Sequence, residues 1–279
     1  ALARVVRGAA GVRGRGRAAL PRLARRHAEP RRDRHRPARR AGARRAVHAR
    51  AKPCADDRDL LRRGHRVAVA NNGKEAVLAI RKRPSAVYTL ADYVAGGIAT
   101  PAQAEMLAVA VAAKRNIIVA GGTGSGKTTL LNALLAEAPF LDARVIILED
   151  TAELQCGSPN AVQLLTKRTD PPVSMRDLVQ MTLRLRPDRI VVGEVRDGAA
   201  LEVLKAWNTG HPGGLLTLHA NSAADALTRL EDLCMEARAT PPKRLIASAV
   251  DIIVFIARRE GGRVITEILE TDEVRGEGA

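Results

Sequence analysis

Gly121-Gly122-Thr123-Gly124-Ser125-Gly126-Lys127-Thr128 fits the pattern G-x-x-x-x-G-K-[ST] of a phosphate-binding loop. Asn116-Ile117-Ile118-Val119-Ala120 before it reads as a short buried strand, and Leu130-Leu131-Asn132-Ala133-Leu134-Leu135 after it reads as a helix. That strand–loop–helix setting is what such a loop requires. Glycine backbones fold tightly and turn their N–H groups inward at a phosphate, and the helix N-terminus adds partial positive charge. In this setting Gly121, Gly122, Thr123, Gly124, Ser125, Gly126, Lys127, Thr128 and Thr129 are the candidate nucleotide contacts. Lys127 would reach the β- and γ-phosphates, and the Thr128 hydroxyl would ligate Mg²⁺. A flexible Gly/Ser linker is the bland alternative; it explains neither Lys127-Thr128-Thr129 nor the two flanks.

Outward from the loop, strand and helix patterns alternate. Thr100-Pro101 starts a helix running to Lys114, with the cap at Thr100 and Pro at the first helical position. Arg144-Val145-Ile146-Ile147-Leu148-Glu149-Asp150 is a second strand, residues 151–173 read mostly as loop, and Ser174 caps a helix through Leu183 with Asp177 three residues on. Arg189 to Glu194 is a third strand, 197–207 a helix, Leu215 to His219 a fourth strand, and Ser222 caps a helix over 223–236. A helix near 243–249 precedes Ile252-Ile253-Val254-Phe255-Ile256, which the Glu260-Gly261-Gly262 turn joins to 263–269 as a hairpin. Such alternation predicts an α/β fold whose mainly parallel sheet is covered on both faces, with an antiparallel edge from the hairpin. Upstream, the Asn72-Gly73 turn is flanked by a strand pattern before it and a helix pattern after it.

Polar groups stand at the C-terminal ends of three further strands, which in an open α/β sheet is the ligand edge. Glu149 and Glu153, in Glu149-Asp150-Thr151-Ala152-Glu153, are carboxylates able to hold an attacking water or the waters of Mg²⁺; solvated or helix-capping acids are the alternative. Ile190-Val191-Val192-Gly193-Glu194 has the apolar strand and terminal acid of a Walker B element, with Gly193 where an Asp is usual. Glu194 is the candidate for orienting water or acting through the Mg²⁺ shell. His219, in Thr217-Leu218-His219-Ala220-Asn221, is placed to hydrogen-bond a γ-phosphate. His211, on the Gly-rich stretch Thr209-Gly210-His211-Pro212-Gly213-Gly214, is a further candidate.

The net charge of +16 resembles a nucleic-acid signal until it is divided along the chain. Residues 1–70 hold 22 Lys+Arg against 5 Asp+Glu, and residues 71–279 hold 24 against 25, so all the excess is N-terminal. Residues 1–70 contain no Phe, Tyr, Trp, Ile, Ser or Thr, and Leu and Val together number 11. Such a stretch cannot bury enough apolar surface to offset chain entropy and is expected to be disordered. Three readings stay open. It is a basic arm for nucleic acid or anionic lipid, or a targeting peptide (though one without Ser), or a stretch outside the natural reading frame. The last follows from the dominance of Ala, Arg, Gly and Pro, all with G+C-rich codons, in residues 1–50. Cys54, Cys156 and Cys234 are far apart and have no metal-ligand spacing, the pattern of a reduced cytoplasmic protein. No apolar run is long enough to span a membrane.

From about residue 78 to 270 the chain resembles the secretion-ATPase superfamily, in particular the TrbB-type conjugal-transfer ATPases of type IV secretion systems. The resemblance is carried by GGTGSGKTT, LEDTAEL, LRLRPDRIVVGEVRDGAALEVLKAWNTGHPGG and LLTLHANSAADALTRLE, which match that family's P-loop, Asp box, Walker B and His box. It implies a RecA-like P-loop NTPase domain over 99–279 using ATP and Mg²⁺, a homo-hexameric ring, and hydrolysis powering conjugal transfer, type IV secretion or pilus assembly. It further implies type IV secretion components as partners at the cytoplasmic side of the inner membrane. By the same resemblance Arg81, in Ala79-Ile80-Arg81-Lys82, lies near the nucleotide, and Arg184 and Arg186 act across a subunit boundary. Upstream no matching N-terminal domain is found. Residues 1–70 are therefore expected to be an Arg-rich low-complexity segment, a mis-framed remnant of that domain, with 71–98 as remnant and linker. Two other function classes are an assembly-defective nucleotide-binding fragment and a nucleic-acid-binding protein acting through the basic arm. The second would lose affinity steeply with salt.

Overall fold

The computed structural model describes residues 4–7, 66–71, 76–81, 86–238 and 240–271. The chain divides after Arg83 into two units. In the first, β1 (Arg4–Arg7), β2 (Arg66–Asn71) and β3 (Ala76–Arg81) form an antiparallel sheet in the order β1-β3-β2. The stretch after Asn72-Gly73 is thus a strand and not the helix expected. Val77, Leu78 and Ile80 make a strand sequence, and an Asn-Gly pair between two such runs is a hairpin signal. Apart from these strands, residues 1–70 and the disorder expected of them lie outside the described residues.

The second unit holds seven strands: β4 (Ile117–Ala120), β5 (Val145–Glu149), β6 (Ala161–Leu165), β7 (Arg189–Val192), β8 (Leu215–Leu218), β9 (Ile252–Arg259) and β10 (Gly262–Glu270). Their order is β10-β9-β4-β8-β7-β5-β6, with every pairing parallel except that of β10 with β9. Alternate side chains leave a strand on opposite faces, and both faces are buried here. Ile118, Ile146, Ile190, Val192, Leu216 and Ile253 pack with the helices Met175–Thr182, Ala199–Asn208, Ala223–Met235 and Lys243–Ala249. Ile117, Val119, Val145, Val191, Leu215 and Val254 pack with Leu90–Ala95, Pro101–Ala112 and Lys127–Leu135. This is the mainly parallel, doubly covered sheet expected of the fold class.

Helix starts follow side-chain chemistry. Thr89 with Asp92, Thr100 with Gln103, and Ser174 with Asp177 each form a reciprocal capping box, and the Ser222 hydroxyl accepts the Asp225 amide. Two features differ from expectation. The region 151–173 contains β6, which pairs only with β5 at the sheet edge and whose residues are half-buried or exposed; an edge strand needs no continuous apolar run. The helix Leu90–Ala95 lies in the stretch set aside as remnant and linker, yet Leu90 and Tyr93 are buried with Leu107 and Leu130 in the core of the second unit. Among the described residues no helix is long and apolar enough to cross a membrane.

Candidate functional site

The loop Gly121–Gly126 leaves the end of β4 and enters the helix Lys127–Leu135. Gly124 and Gly126 have φ of 73° and 106°, conformations that favour glycine. A Cβ on Gly121 would stand 2.3 Å from the Ile256 carbonyl and 2.6 Å from Ser125 Oγ, so the loop closes only around a bare α-carbon. Gly126, the N-cap residue, supplies no side-chain cap, and the intrahelical ladder begins with the Leu130 amide on the Gly126 carbonyl at 2.9 Å. Thr128 and Thr129 therefore lie in the first turn, where helix amides lack intrahelical acceptors. Lys127 Nζ donates to the Gly121 and Gly122 carbonyls at 2.8 and 3.0 Å. Ser125 Oγ is buried with no hydrogen-bond partner. A glycine-tight turn, a helix N-terminus without a side-chain cap, an ammonium and an orphaned hydroxyl are the donor set a triphosphate requires, and Thr128 adds a hydroxyl of the kind that ligates Mg²⁺.

Strand β8 lies between the phosphate loop and the Walker B strand. The Gly121 amide donates to the Leu218 carbonyl at 3.3 Å from one side, and the Val195 amide to the Thr217 carbonyl at 3.1 Å from the other. Glu194 and the start of the loop thus flank one strand, with backbones about 10 Å apart at the usual strand spacing. His219 follows the end of β8 between them. Glu194 and His219 line one open cleft of about 680 Å³, whose other walls are Arg196, Ala220, Asn221 and the helix residues Asp225, Thr228, Arg229 and Asp232. The phosphate loop lies beyond this cleft, across β8.

Glu194 sits two residues past the end of β7 and is held by Arg196, whose Nε donates to Glu194 Oε2 at 2.8 Å and whose Nη2 contacts the same oxygen. Arg196 Nη1 also stands 3.8 Å from Asp150 Oδ2, and Asp150 Oδ1 accepts the Thr166 hydroxyl at 2.8 Å. The hydrogen bond from Arg196 to Glu194 raises the guanidinium's pKa above its ordinary value. Arg196 stands two residues after Glu194 in Gly193-Glu194-Val195-Arg196, and that short spacing is the one sign of the pair in the sequence.

Glu149 faces inward. Its Oε1 accepts the Glu153 and Leu154 amides at 3.0 Å each, and its Oε2 accepts the Gln163 side-chain amide. Burial raises its pKa, and these hydrogen bonds oppose the rise. Oε1 thus braces the turn that carries half-buried Glu153, and Oε2 is tied to Gln163 of β6. The same side chain accounts for Gly193: a Cβ there would meet Glu149 Cγ at 2.8 Å and Oε1 at 3.3 Å. Glu149, reaching over from β5, fills the space where a Walker B aspartate would begin. Gly193→Asp is therefore expected to lower stability by about 1–3 kcal/mol from overpacking alone. In urea melts, Glu149→Ala combined with Gly193→Asp should cost less than the sum of the two single changes. Strict additivity would remove the steric explanation.

Other candidates lie elsewhere. Arg184 and Arg186 are exposed and precede β7, so they stand at the N-terminal edge of the parallel strands, opposite their own phosphate loop. Arg186 has a φ of 51°. His211 is at that opposite edge too, its Nδ1 3.1 Å from the Pro187 carbonyl, so the structure does not bring it to the phosphate loop. Arg81 closes β3 in the other unit, paired with Arg66, and its side chain lies outside the described residues. Arg263 of β10 was not foreseen: its Nε is 3.4 Å from the Gly124 carbonyl.

The profile of the family described as Type II/IV secretion system protein matches residues 62–263, reaching further upstream than the motif resemblance and taking in β2 and β3. The chain is similar to the conjugal transfer protein TrbB of Rhizobium radiobacter, 52% identical over 200 residues, covering 70% of this chain and 60% of that protein. It is similar to the type IV secretion system protein VirB11 of Bartonella henselae, 39% identical over 168 residues, covering 57% and 47%. Among solved structures it resembles the VirB11 ATPase of Brucella suis in complex with sulphate, with a TM-score of 0.56 and 31% identity over 76% of this chain and 73% of that one. It resembles the pilus retraction motor PilT in fold alone, at a TM-score of 0.55 and 22% identity, covering 79% and 69%. The chain spans about 60% of the length of the TrbB relatives it matches. With the phosphate loop, Glu194 and His219 at one edge of the sheet and most of its length matched, the chain belongs to the Type II/IV secretion system protein family.

Proposed function

We propose that the chain is the ATPase part of a conjugal-transfer or type IV secretion motor, working as a homo-hexamer at the cytoplasmic side of the inner membrane. The observation that carries this is the set of three adjacent strand ends: the phosphate loop after β4, His219 after β8 and Glu194 after β7. The names of the relatives support it. TrbB is a conjugal transfer protein, and the Brucella suis VirB11 is an ATPase holding sulphate, a tetrahedral anion like phosphate.

In this reading catalysis is positioning and electrostatics. The amides of the loop and the Lys127 ammonium grip the phosphates. Thr128 and Glu194 are the residues that would hold Mg²⁺, which would supply further neutralisation of charge on the phosphate oxygens. Glu194 orients the water, helped by Glu153 on the turn that Glu149 braces, and His219 reads the γ-phosphate. The opposite-edge position of Arg184 and Arg186 supports a role on a neighbouring copy's nucleotide. A trans arginine is worth roughly 10³–10⁵ in rate, so an isolated monomer should turn over very little.

The test is light scattering of the purified chain in ATP, run alongside phosphate release. A ring-sized particle with turnover is the expected result. A nucleotide-bound monomer without turnover would replace the motor with a nucleotide-binding module, and a salt-sensitive DNA complex lost on deleting residues 1–70 would favour the basic arm as the working part.

A further inference from the structure

Arg196 is engaged in a way that the motif roles do not explain. Its guanidinium grips the one oxygen, Glu194 Oε2, with Nε at 2.8 Å and Nη2, while Nη1 reaches towards Asp150 Oδ2 at 3.8 Å. It therefore joins the ends of β7 and β5, and it holds the carboxylate assigned to the water. Arg196 shares the cleft wall with Glu194, His219 and a second cation, Arg229, and its side chain is 61% exposed. An exposed ion pair of this kind is weak, so a better anion can take the guanidinium away. A terminal phosphate is such an anion: it carries more charge than a carboxylate and offers several oxygens to a planar fork. Without a mobile cation, a γ-phosphate would also have to approach two like-charged groups, Glu194 and Asp150.

We infer that Arg196 is a positioning residue that exchanges between Glu194 and the γ-phosphate: it clamps Glu194 in the absence of a triphosphate and frees that carboxylate for water when the terminal phosphate takes the guanidinium. The inference rests on the nucleotide reading given above and extends it to a residue which that reading leaves idle. It makes the commitment of Glu194 depend on the presence of the third phosphate, so that diphosphate leaves the clamp shut.

The test measures binding of a non-hydrolysable ATP analogue and of ADP in EDTA, where a metal role of Glu194 cannot contribute. Arg196→Ala should weaken the triphosphate analogue about tenfold, the loss of one charge-assisted contact, and leave ADP unchanged. Glu194→Gln removes the competitor, so it should tighten the analogue relative to ADP, and the same change made on Arg196→Ala should give a clearly smaller gain, the part that comes from relieved repulsion alone. A purely structural tie between β7 and β5 predicts instead that Arg196→Ala shifts both nucleotides together. That outcome, or a gain of equal size with and without Arg196, overturns the exchange. If the parent chain binds ADP and only the triphosphate-to-ADP ratio fails to respond, the exchange alone is wrong. If the parent binds neither nucleotide, the site reading falls and takes the exchange with it.

Discussion

Lys127→Ala is expected to cut ATP turnover by about 10²–10³-fold, the usual cost of removing one preorganised donor from developing charge, with the fold intact. Lys127 opens the helix Lys127–Leu135 and turns its ammonium back across the loop, bonding the Gly121 and Gly122 carbonyls at 2.8 and 3.0 Å. Those two bonds hold the ammonium over the concave side of the loop, so little reorganisation is needed when phosphate oxygens arrive. Their loss costs stability on the order of 1 kcal/mol net, which for a unit of this size is roughly 2–4 °C in melting temperature. The large effect on turnover and the small one on melting separate a phosphate ligand from a structural lysine. Lys127→Arg should not restore activity, because a planar fork replaces a compact point charge. Phosphate release at saturating ATP, paired with a thermal melt, checks both halves. Parental turnover in the alanine variant would refute the phosphate site.

Why some of this was legible in the sequence and some was not follows from the physics of each residue. The loop could be read because glycine at Gly124 and Gly126 is a backbone requirement that leaves a chemical signature. The capping boxes at Thr100 and Ser174 could be read because the hydrogen bonds are local, three residues apart. Strand β6 could not, since Ala161-Val162-Gln163-Leu164-Leu165 buries no full face and owes its existence to β5. Glu149 looked like a cleft acid because its partners, the Glu153 and Leu154 amides and Gln163, are set by a turn and by a neighbouring strand. His211 and His219 look alike as histidines after glycine-rich or apolar stretches. Only the sheet's direction tells them apart, since one precedes β8 and the other follows it.

Arg189 is the residue the sequence concealed most, and Arg189→Ala should be among the most damaging single changes. As the first residue of β7 it reads as a solvated charge at a strand start, yet it is 2% exposed. Its Nη2 donates to the Val111 carbonyl at 2.9 Å and its Nη1 to the Gly213 carbonyl at 3.3 Å, while its guanidinium lies 4.4 Å from the centre of the Phe140 ring. Val111 is in the last turn of the helix Pro101–Ala112, and its carbonyl also accepts the Lys114 amide at 3.2 Å, so the arginine adds a second donor to that helix end and anchors the Gly213 turn before β8. Burial lowers its pKa, and Nε has no hydrogen-bond partner, so the cation is held at a cost that its two carbonyls and the ring offset. Truncation to alanine takes both guanidinium bonds away, leaves the Val111 carbonyl with only its backbone donor, and opens a cavity beside the buried Phe140 ring, which together cost about 3–5 kcal/mol. Arg189→Met keeps the volume and the contact with Phe140 but not the donors, and should lose about half as much. Urea melts of the two variants test this ordering: if the methionine variant is no better than alanine, volume contributes nothing, and if both melt with the parent, the guanidinium caps nothing that water cannot. The site itself supplies the control. Arg189 lies at the edge of the sheet opposite the phosphate loop, so nucleotide affinity measured on the still-folded variant in the cold should stay near the parent's while its stability falls.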